Sequence, residues 1–300
     1  MTRVLSTAEG THAGTFTVLD WGLFLSIGLI WGSSFILIAT GLETFEPGLI
    51  TWLRVVTGAA ALWLVPGARV RIAREDRRRL IALSFLWVAI PFTLFPLAQQ
   101  HVSSAVTGML NGGVPIVAAL IATTMLRRLP GRVQILGLVL GFAGVAAIAL
   151  SAAGVDTSQA IGVSMLLAAV LCYGVAINIA TPLQQRYGSL TAMAWMLILA
   201  SIWTAPFGLA SIGSSSFAWL PLVAVLALGV VGTGLAFVIM GRLVGRVGST
   251  RASFAIYLVP VVALIMGVAI RGDEVAPIAV MGIAAVICGA VLASRADRRA

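Results

Sequence analysis

The chain has 300 residues; 60% of them are hydrophobic, 10% are charged, and the mean hydropathy is +1.07. Because a soluble domain carries about 25% charged residues, this composition excludes a soluble globular protein and predicts an integral membrane protein. The formal net charge is +9 and all 19 basic residues are arginine, so the chain has neither a Walker A lysine nor a Schiff-base lysine. Cys172 and Cys288 lie in apolar segments, which favours two small buried side chains over a disulfide or a metal site.

Ten apolar segments follow one another along the chain, and each is long enough for a helix across a hydrocarbon core about 30 Å thick. Before them, residues 1–20 are polar and small and predict a disordered tail; residues 295–300 form a second tail. The predicted fold class is therefore all-α integral membrane, with ten transmembrane helices. They run over 21–41, 48–65, 80–97, 105–126, 133–153, 160–181, 189–210, 217–240, 252–270 and 275–293.

The arginines set the predicted orientation. All basic residues except Arg54 and Arg271 fall in tails and connections on one side of the ten-helix arrangement. By the positive-inside rule this side is cytoplasmic, so both termini are predicted to be cytoplasmic. The basic loops are then a topology signal rather than a nucleic-acid surface. The connections on the other side carry acidic residues: Glu43, Glu46, Asp156, Asp273 and Glu274.

Proline and glycine recur at one constant offset in the two halves of the chain. A repeat of half the chain length predicts two copies of one unit, 21–153 and 160–294. With five helices in each copy, the second copy enters the bilayer from the opposite side, so the copies are inverted repeats. This design is typical of secondary transporters, whose substrate site lies near the midplane between the repeats. The matched residues are Pro115, Gly137 and Gly144 with Pro260, Gly282 and Gly289.

Several residues resemble one known family. The first predicted helix contains Trp-Gly-Ser-Ser-Phe at 31–35, the second contains Arg54, and the fourth and ninth each contain a proline. Over about residues 20–294 these features resemble the EamA-type members of the drug/metabolite transporter superfamily. The second copy has no clean equivalent of the 31–35 motif; Cys172-Tyr173-Gly174 is the nearest match.

The resemblance implies a multi-pass carrier of the bacterial inner membrane that exports amino acids or related small metabolites by alternating access. The aromatic amino-acid exporters are one candidate group of relatives. A small-molecule substrate and the lipid bilayer are the implied partners, with no cofactor, no metal and no nucleic acid, and the chain is expected to be a monomer or weak homodimer. The alternative is a proton-coupled multidrug or organic-cation exporter. A membrane-embedded enzyme would need clustered His, Asp or Glu within the predicted spans, and a scaffold or receptor is disfavoured by the inverted repeat.

Arg54 is the one ionisable side chain that falls inside a predicted span, where charge is costly and usually functional. It is a candidate to bind a substrate carboxylate, and the competing interpretation is that it braces neighbouring helices. No Asp or Glu falls within a predicted span, and His101 lies at a rim. Obligatory proton coupling, which normally uses a titrating carboxylate, is therefore not expected.

Polar residues before each proline are candidate substrate contacts. Pro115 and Pro260 each free the carbonyl four residues back, and polar side chains share the same stretches. Such groups need a cavity or protein around them, so substrate binding and interhelical packing both remain open. The candidates are Thr107, Asn111, Ser253 and Tyr257, with Asn178 on the sixth predicted helix.

Deep aromatic residues and helix-weakening residues complete the predicted site. Trp31, Trp87 and Trp195 lie away from the span ends, where an indole could stack on a substrate or fill the core. Ser34 and Tyr173 belong to the motif and its nearest match. Residues that weaken helices occur at corresponding places in the two copies and predict gating elements. They are Pro91, Pro96 and Pro115 in the first copy, and Gly229, Gly232, Gly234 and Pro260 in the second.

Overall fold

Helix is the only regular secondary structure among the residues that the computed structural model describes, 15–126, 131–153 and 157–293. The all-α prediction is confirmed. The predicted tails lie largely outside the described residues, as 1–14 and 295–300. The helices are α1 (Val18–Gly41), α2 (Pro47–Trp63), α3 (Arg74–Ala98), α4 (Ser104–Thr124), α5 (Arg132–Ala152), α6 (Thr157–Ala210), α7 (Trp219–Val247), α8 (Arg251–Arg271) and α9 (Pro277–Ala293).

Seven helices in these ranges, all but α2 and α9, are long and apolar enough to cross a membrane. The helices α2 and α9 have 17 residues each, and α9 is apolar as well. The longest, α6, has 54 residues and is broken at Gly188, whose φ of 80° and ψ of 154° are not helical. Glycine tolerates this conformation because it has no Cβ. The break at Gly188 divides α6 into a first arm, 157–187, and a second arm, 189–210.

Four helices depart from regular α geometry in the middle of the bundle. In α3 and α7 the segments Ser84–Ala89 and Val230–Leu235 are π-helical. In α4 the helix ends at Asn111 and resumes at Val114, and α8 contains a 3-10 turn over Phe254–Tyr257. Each interruption ends two or three residues before a proline, Pro115 in α4 and Pro260 in α8, and proline lacks the N–H that a continuous helix requires. The π segments, which are frequent at functional sites, were not predicted from the sequence.

Glycines bring the helix pairs close together. At Gly144 an added Cβ would lie 2.5 Å from the Gly282 carbonyl oxygen, and at Gly289 it would lie 2.6 Å from that of Gly137, so α5 and α9 touch through their backbones. The helix α1 crosses α8 in a similar way at Gly32, where a Cβ would lie 2.5 Å from Val262. Close approach of this kind, through small residues, is the usual basis of helix association in membranes.

The first helix begins slightly before the predicted span, which starts at residue 21. It begins at Val18 because Thr17 caps it. Asp20 closes the capping box with Thr17 and is fully buried, and its Oδ1 lies 2.5 Å from Nε of Arg246 at the end of α7. The partner lies more than 200 residues away in the sequence, so only the tertiary structure reveals this ion pair.

Candidate functional site

A cavity of about 150 Å³ lies in the middle of the bundle, among the irregular parts of α3, α4, α7 and α8, and also reaches α1, α2 and the first arm of α6. Its wall is mainly aromatic and aliphatic, with a few polar groups, as is typical of sites for small molecules. The lining residues are Trp31, Ser34, Phe35, Arg54, Trp87, Phe92, Phe95, Asn111, Val114, Tyr173, Ile177, Gly232, Phe237, Ile256 and Val259.

Six of the predicted substrate contacts line this cavity together. They come from five helices and from both halves of the chain, so the sequence alone does not bring them near one another. The glycine Gly232, predicted as part of a gating element, also lies in the wall. The six are Trp31, Ser34, Arg54, Trp87, Asn111 and Tyr173.

Arg54 supplies the only formal charge among the lining residues. Its side chain is buried, with 8% of the residue exposed, and Nε donates to Oγ1 of Thr233 over 3.2 Å. The guanidinium carbon lies 3.7 Å from the centre of the Phe92 ring, in a cation–π contact. Among the described residues no carboxylate forms an ion pair with Arg54, and its two terminal nitrogens have no hydrogen-bond partner. The planar donor edge that suits a carboxylate is therefore available.

Thr233 holds Arg54 from the π-helical segment of α7. It is fully buried, and its own hydroxyl donates to the carbonyl oxygen of Leu228, five residues back, over 3.2 Å. With its proton used in this way, Oγ1 presents a lone pair to Nε of Arg54. Thr233 was not predicted as a site residue from the sequence. The signal available was one hydroxyl between Gly232 and Gly234 in an apolar segment, but the direction of that hydroxyl depends on the π turn.

Asn111 is a second lining residue with an unpaired polar atom. It is the last residue of the Ser104–Asn111 helix, where α4 opens before Pro115. Its Oδ1 is buried and has no hydrogen-bond partner among the described residues. Ser34, by contrast, uses its hydroxyl to donate to the carbonyl oxygen of Ile30 over 3.0 Å. Oδ1 of Asn111 is therefore a buried acceptor without a partner, in a residue that lines the cavity.

Aromatic side chains form most of the remaining wall. Phe35 and Phe95 meet edge to face with ring centres 5.7 Å apart, and Phe95 lies 5.9 Å from Tyr173. On another side Trp31 lies 5.6 Å from Phe237, again edge to face. Phe92, Phe95 and Phe237 were not predicted as site residues, because a phenylalanine in an apolar helix can equally well line a cavity, face lipid or fill the core.

The other five predicted substrate contacts lie away from this cavity, and four of them bond to backbone carbonyls. Thr107 donates to Ser103 over 2.9 Å, and Asn178 donates to Ala118 and Gly174 over 3.0 and 2.9 Å. These contacts fit the packing interpretation left open by the sequence. In the same way Trp195 donates from Nε1 to Val70 over 2.9 Å, and Tyr257 donates to Ala290 over 3.3 Å. The fifth, Ser253, is exposed on α8.

The predicted helix-weakening residues lie within four of the helices that line the cavity. Pro91 and Pro96 lie in α3 just after its π segment, and Pro115 and Pro260 follow the interruptions of α4 and α8. In α7 an added Cβ at Gly229 would clash with Oγ1 of Thr57, and one at Gly234 would lie 2.7 Å from Ala61. These two glycines therefore let α7 approach α2 beside Arg54.

Polar contacts join the helices at the end of the bundle where Glu43 lies. Glu43, just after α1, pairs with Arg271 at the end of α8 over 2.8 Å. Gly272, with φ of 67°, ends α8 and turns the chain so that Asp273 reaches the start of α4. There Asp273 Oδ2 accepts from Ser104 Oγ at 2.7 Å and from Ala105 N at 2.9 Å. A cavity of about 410 Å³ lies beside these residues.

The described ranges contain no group of three or more His, Cys, Asp or Glu side chains placed to hold a metal ion.

Comparison with known proteins identifies the family. The model of the EamA-like transporter family matches residues 21–150 and again residues 160–295. The chain belongs to the EamA-like transporter family. The resemblance inferred from the 31–35 motif and Arg54 is thus confirmed, and the protein is a multi-pass membrane protein of a transporter family.

Relatives of this EamA-like chain are also named as transporters. An uncharacterized transporter, YoaV, of Bacillus subtilis is 25% identical over 88% of this chain and 93% of its own length. A probable terminal-alkyne amino-acid exporter of Streptantibioticus cattleyicolor is 27% identical over 92% of this chain and 93% of its own length. A crystal structure that is 18% identical shares the fold, with a TM-score of 0.63 over 91% of this chain and 96% of the other.

Proposed function

We propose that this protein is a carrier of the bacterial inner membrane that exports amino acids or related small carboxylates by alternating access. The observation that carries the proposal is the donor edge of Arg54, unpaired and facing an aromatic cavity in mid-bundle. A buried arginine without an acidic partner suits an anionic ligand, because its planar edge matches a carboxylate. The name of the Streptantibioticus relative, an amino-acid exporter, supports the same substrate class.

The proposal includes ten membrane crossings, arranged as two inverted five-helix repeats over 21–153 and 160–294. At 1.5 Å per residue, the 54 residues of α6 would extend about 80 Å, far more than a hydrocarbon core, so the break at Gly188 supports two crossings. Helices of 17 residues are at the short end of the range that can span. The two π segments and the two pre-proline interruptions recur at corresponding places, and the family model matches twice. All of these features support a repeat.

The orientation we propose has both termini in the cytoplasm and Glu43 on the outside. The excess of arginine in the connections on one side supports it. Alternating access then requires the contacts at Glu43, Arg271 and Asp273 to separate when the cavity opens outward. The proposed assembly is a monomer or weak homodimer.

In this proposal Arg54 binds the carboxylate of the substrate, and Trp31 and Trp87 contact its apolar body. Ser34, Asn111 and Tyr173 complete the wall. The residues Thr107, Asn178, Trp195, Ser253 and Tyr257 support the helices rather than the substrate, in keeping with the four backbone hydrogen bonds described above.

The alternative, a proton-coupled multidrug or organic-cation exporter, is disfavoured by the charge of the cavity. A cationic drug seeks a negative partner, and the lining residues include one arginine and no Asp, Glu or His. The buried carboxylate of Asp20 lies in the first turn of α1, is not among the lining residues, and is paired with Arg246. Transport without obligatory proton coupling fits this distribution better.

The test is transport by the purified full-length chain in liposomes, screened across labelled amino acids and matched amines that lack the carboxylate. We expect carboxylate-bearing solutes to be transported and the amines not. Arg54→Met should lower their transport roughly 10- to 100-fold, the range for a lost hydrogen-bonded charge. Arg74→Met, which removes an arginine outside the cavity, is the control. Equal transport by Arg54→Met and wild type, with both variants monodisperse, would refute the proposal.

A further inference from the structure

We infer that the connection between α2 and α3, together with the start of α3, is a binding surface for the phosphate headgroups of anionic membrane lipids. The surface comprises residues 64–79 and is named the basic segment. None of these residues lines the central cavity, so the inference goes beyond the proposed function and does not depend on it. The segment contains six arginines, all of them exposed: Arg69, Arg71, Arg74, Arg77, Arg78 and Arg79.

Most of these arginines have no partner in the described part of the chain. Arg69 donates from Nε to the carbonyl oxygen of Trp63 over 2.7 Å, and the other five side chains form no hydrogen bond or ion pair with a described residue. The two acidic residues of the segment, Glu75 and Asp76, both pair with Arg186 of the first arm of α6. These carboxylates are therefore engaged by another helix, and the described residues leave the positive charge of the segment without a counter-charge.

The basic segment is held in place against both arms of α6. Before the break in α6, the Tyr187 hydroxyl accepts from the backbone N–H of Ala73 over 3.1 Å and donates to Oδ2 of Asp76 over 2.9 Å. After the break, Thr191 donates to the carbonyl oxygen of Gly67 over 3.0 Å. A signal for topology requires only the charge of a connection and not an ordered structure. The segment instead presents its arginines from a fixed backbone, as a binding surface does.

The basic segment lies at the boundary of the apolar part of the bundle. The helix α2 ends at Trp63, and α3 is apolar from Leu80 onward. Two large apolar side chains of the segment are exposed, Leu64 by 77% and Val70 by 50%. Apolar side chains among basic ones are typical of surfaces in the membrane interface, where the apolar groups enter the bilayer and the charges meet the headgroups. A nucleic acid would leave these apolar side chains in water.

The start of α3 also favours an anion. Arginines here repel one another and the partial positive charge of the helix N-terminus, so a bound anion lowers the repulsion. The guanidinium group binds phosphate oxygens in pairs, and juxtamembrane clusters of arginine attract anionic lipids. The segment therefore fits an anionic phospholipid better than a zwitterionic one. The arginines within the first six residues of α3 are Arg74, Arg77, Arg78 and Arg79.

The test is native mass spectrometry of the purified full-length protein, which gives the dissociation constant of each lipid that binds. The probes are phosphatidylglycerol and phosphatidylcholine with the same acyl chains. We expect the first phosphatidylglycerol to bind wild type about tenfold tighter than the first phosphatidylcholine. In Arg71→Gln/Arg78→Gln this preference should fall to within about threefold, because two charges of the surface are gone.

Arg132→Gln/Arg242→Gln is the matched control, since it removes two exposed arginines of α5 and α7, outside the basic segment. This variant should keep the preference of wild type. Arg77→Gln/Arg79→Gln replaces the first variant if that variant is not monodisperse.

The inference is overturned if wild type does not prefer phosphatidylglycerol. It is also overturned if the segment variant and the control variant lose the preference equally, which would show a response to net charge alone. Glycerophosphoglycerol, the same headgroup without acyl chains, and a DNA oligonucleotide serve as competitors. Neither should displace the lipid, and displacement by either would show that the surface binds a soluble phosphate compound or a nucleic acid instead.

Discussion

Arg54 has a hydrogen-bond partner for one of its three guanidinium nitrogens and an aromatic ring against its face. The Thr233 hydroxyl and the Phe92 ring together fix the plane of the guanidinium, while its other two nitrogens remain for a ligand. Thr233 is oriented by the π turn, because its hydroxyl donates to the carbonyl oxygen of Leu228. The irregular backbone of α7 therefore determines the orientation of the Arg54 guanidinium on α2. Thr233 is in this sense a positioning residue for the proposed carboxylate contact.

Replacing Thr233 with valine should therefore weaken the binding of the substrate without destroying the site. We expect Thr233→Val to raise the KM for a transported carboxylate roughly three- to tenfold with little change in the maximal rate, because one hydrogen bond to a charged group is lost. Thr233→Ser should restore most of the affinity. The measurement is initial-rate transport in liposomes over a range of substrate concentrations.

The control for that variant is Thr93→Val in α3, where the hydroxyl bonds only to the Ala89 carbonyl of its own helix. If both valine variants behave alike, or if Thr233→Val alters the maximal rate alone, Thr233 does not position Arg54.

At the scale of helices, the contact between α5 and α9 has no room for side chains. At Gly144 an added Cβ would lie 2.5 Å from a backbone oxygen of α9, a contact that only movement of the helix could relieve. Neither helix contributes to the cavity wall. The pair is therefore a packing element, separate from the substrate site.

Substitution at this contact should affect folding rather than specificity. We expect Gly144→Leu to reduce the yield of monodisperse protein several-fold, since overpacking of a close helix contact is strongly destabilising. Protein that does fold should keep the wild-type order of substrates. The yield is measured by size-exclusion chromatography after extraction. Gly241→Leu is the matched control, because nothing lies within 4 Å of a Cβ at Gly241. A normal yield with altered substrate order would contradict this assignment.

The sequence predicted the helices well because the length and apolarity of a segment are local properties. It also singled out Arg54, Trp31 and Asn111, since polar and aromatic residues stand out in an apolar helix. Thr233 was not predicted, because its role depends on a π turn that no residue pattern indicates. The position of Asp20 within α1 could not be predicted, since its carboxylate is held by the cap at Thr17 and by Arg246, which is distant in the sequence.

Thr107 and Asn178 illustrate the limit for polar residues in helices. The same pattern of spacing predicted both a substrate contact and a packing contact, and their hydrogen bonds to backbone carbonyls fit the packing interpretation. Which of two faces a helix turns to a cavity depends on how its neighbours cross it, and these crossings are fixed by glycine contacts far apart in the sequence.

Over the whole molecule, as far as the structure describes it, the two ends of the bundle contain ion pairs, whereas the middle contains a single unpaired charge. Ion pairs lie at both ends, between Asp20 and Arg246 and between Glu43 and Arg271, whereas the cavity contains Arg54 alone. In the alternating-access carrier that we propose, contacts would break at one end at a time. The charged contacts at each end would then form the two closures, and the residues that line the middle include no carboxylate.

This distribution predicts transport that does not depend on a proton gradient. The lining residues include no Asp, Glu or His, so the cavity has no carboxylate or imidazole to carry a proton with the substrate. Uptake of a zwitterionic amino acid into liposomes should then differ less than about twofold with and without an imposed pH gradient. Liposomes without protein give the background. A several-fold acceleration by the gradient would show that a proton is coupled to transport.

Two of the 8 tryptophans, Trp31 and Trp87, stand in the wall of the central cavity. Indole emission shifts in colour and intensity when water beside the ring is exchanged for an organic molecule. The unmodified chain therefore carries an optical reporter at the place where we propose that the substrate binds, so occupancy can be followed in real time without a label, and exchanging Trp87 for phenylalanine would identify which ring gives the signal.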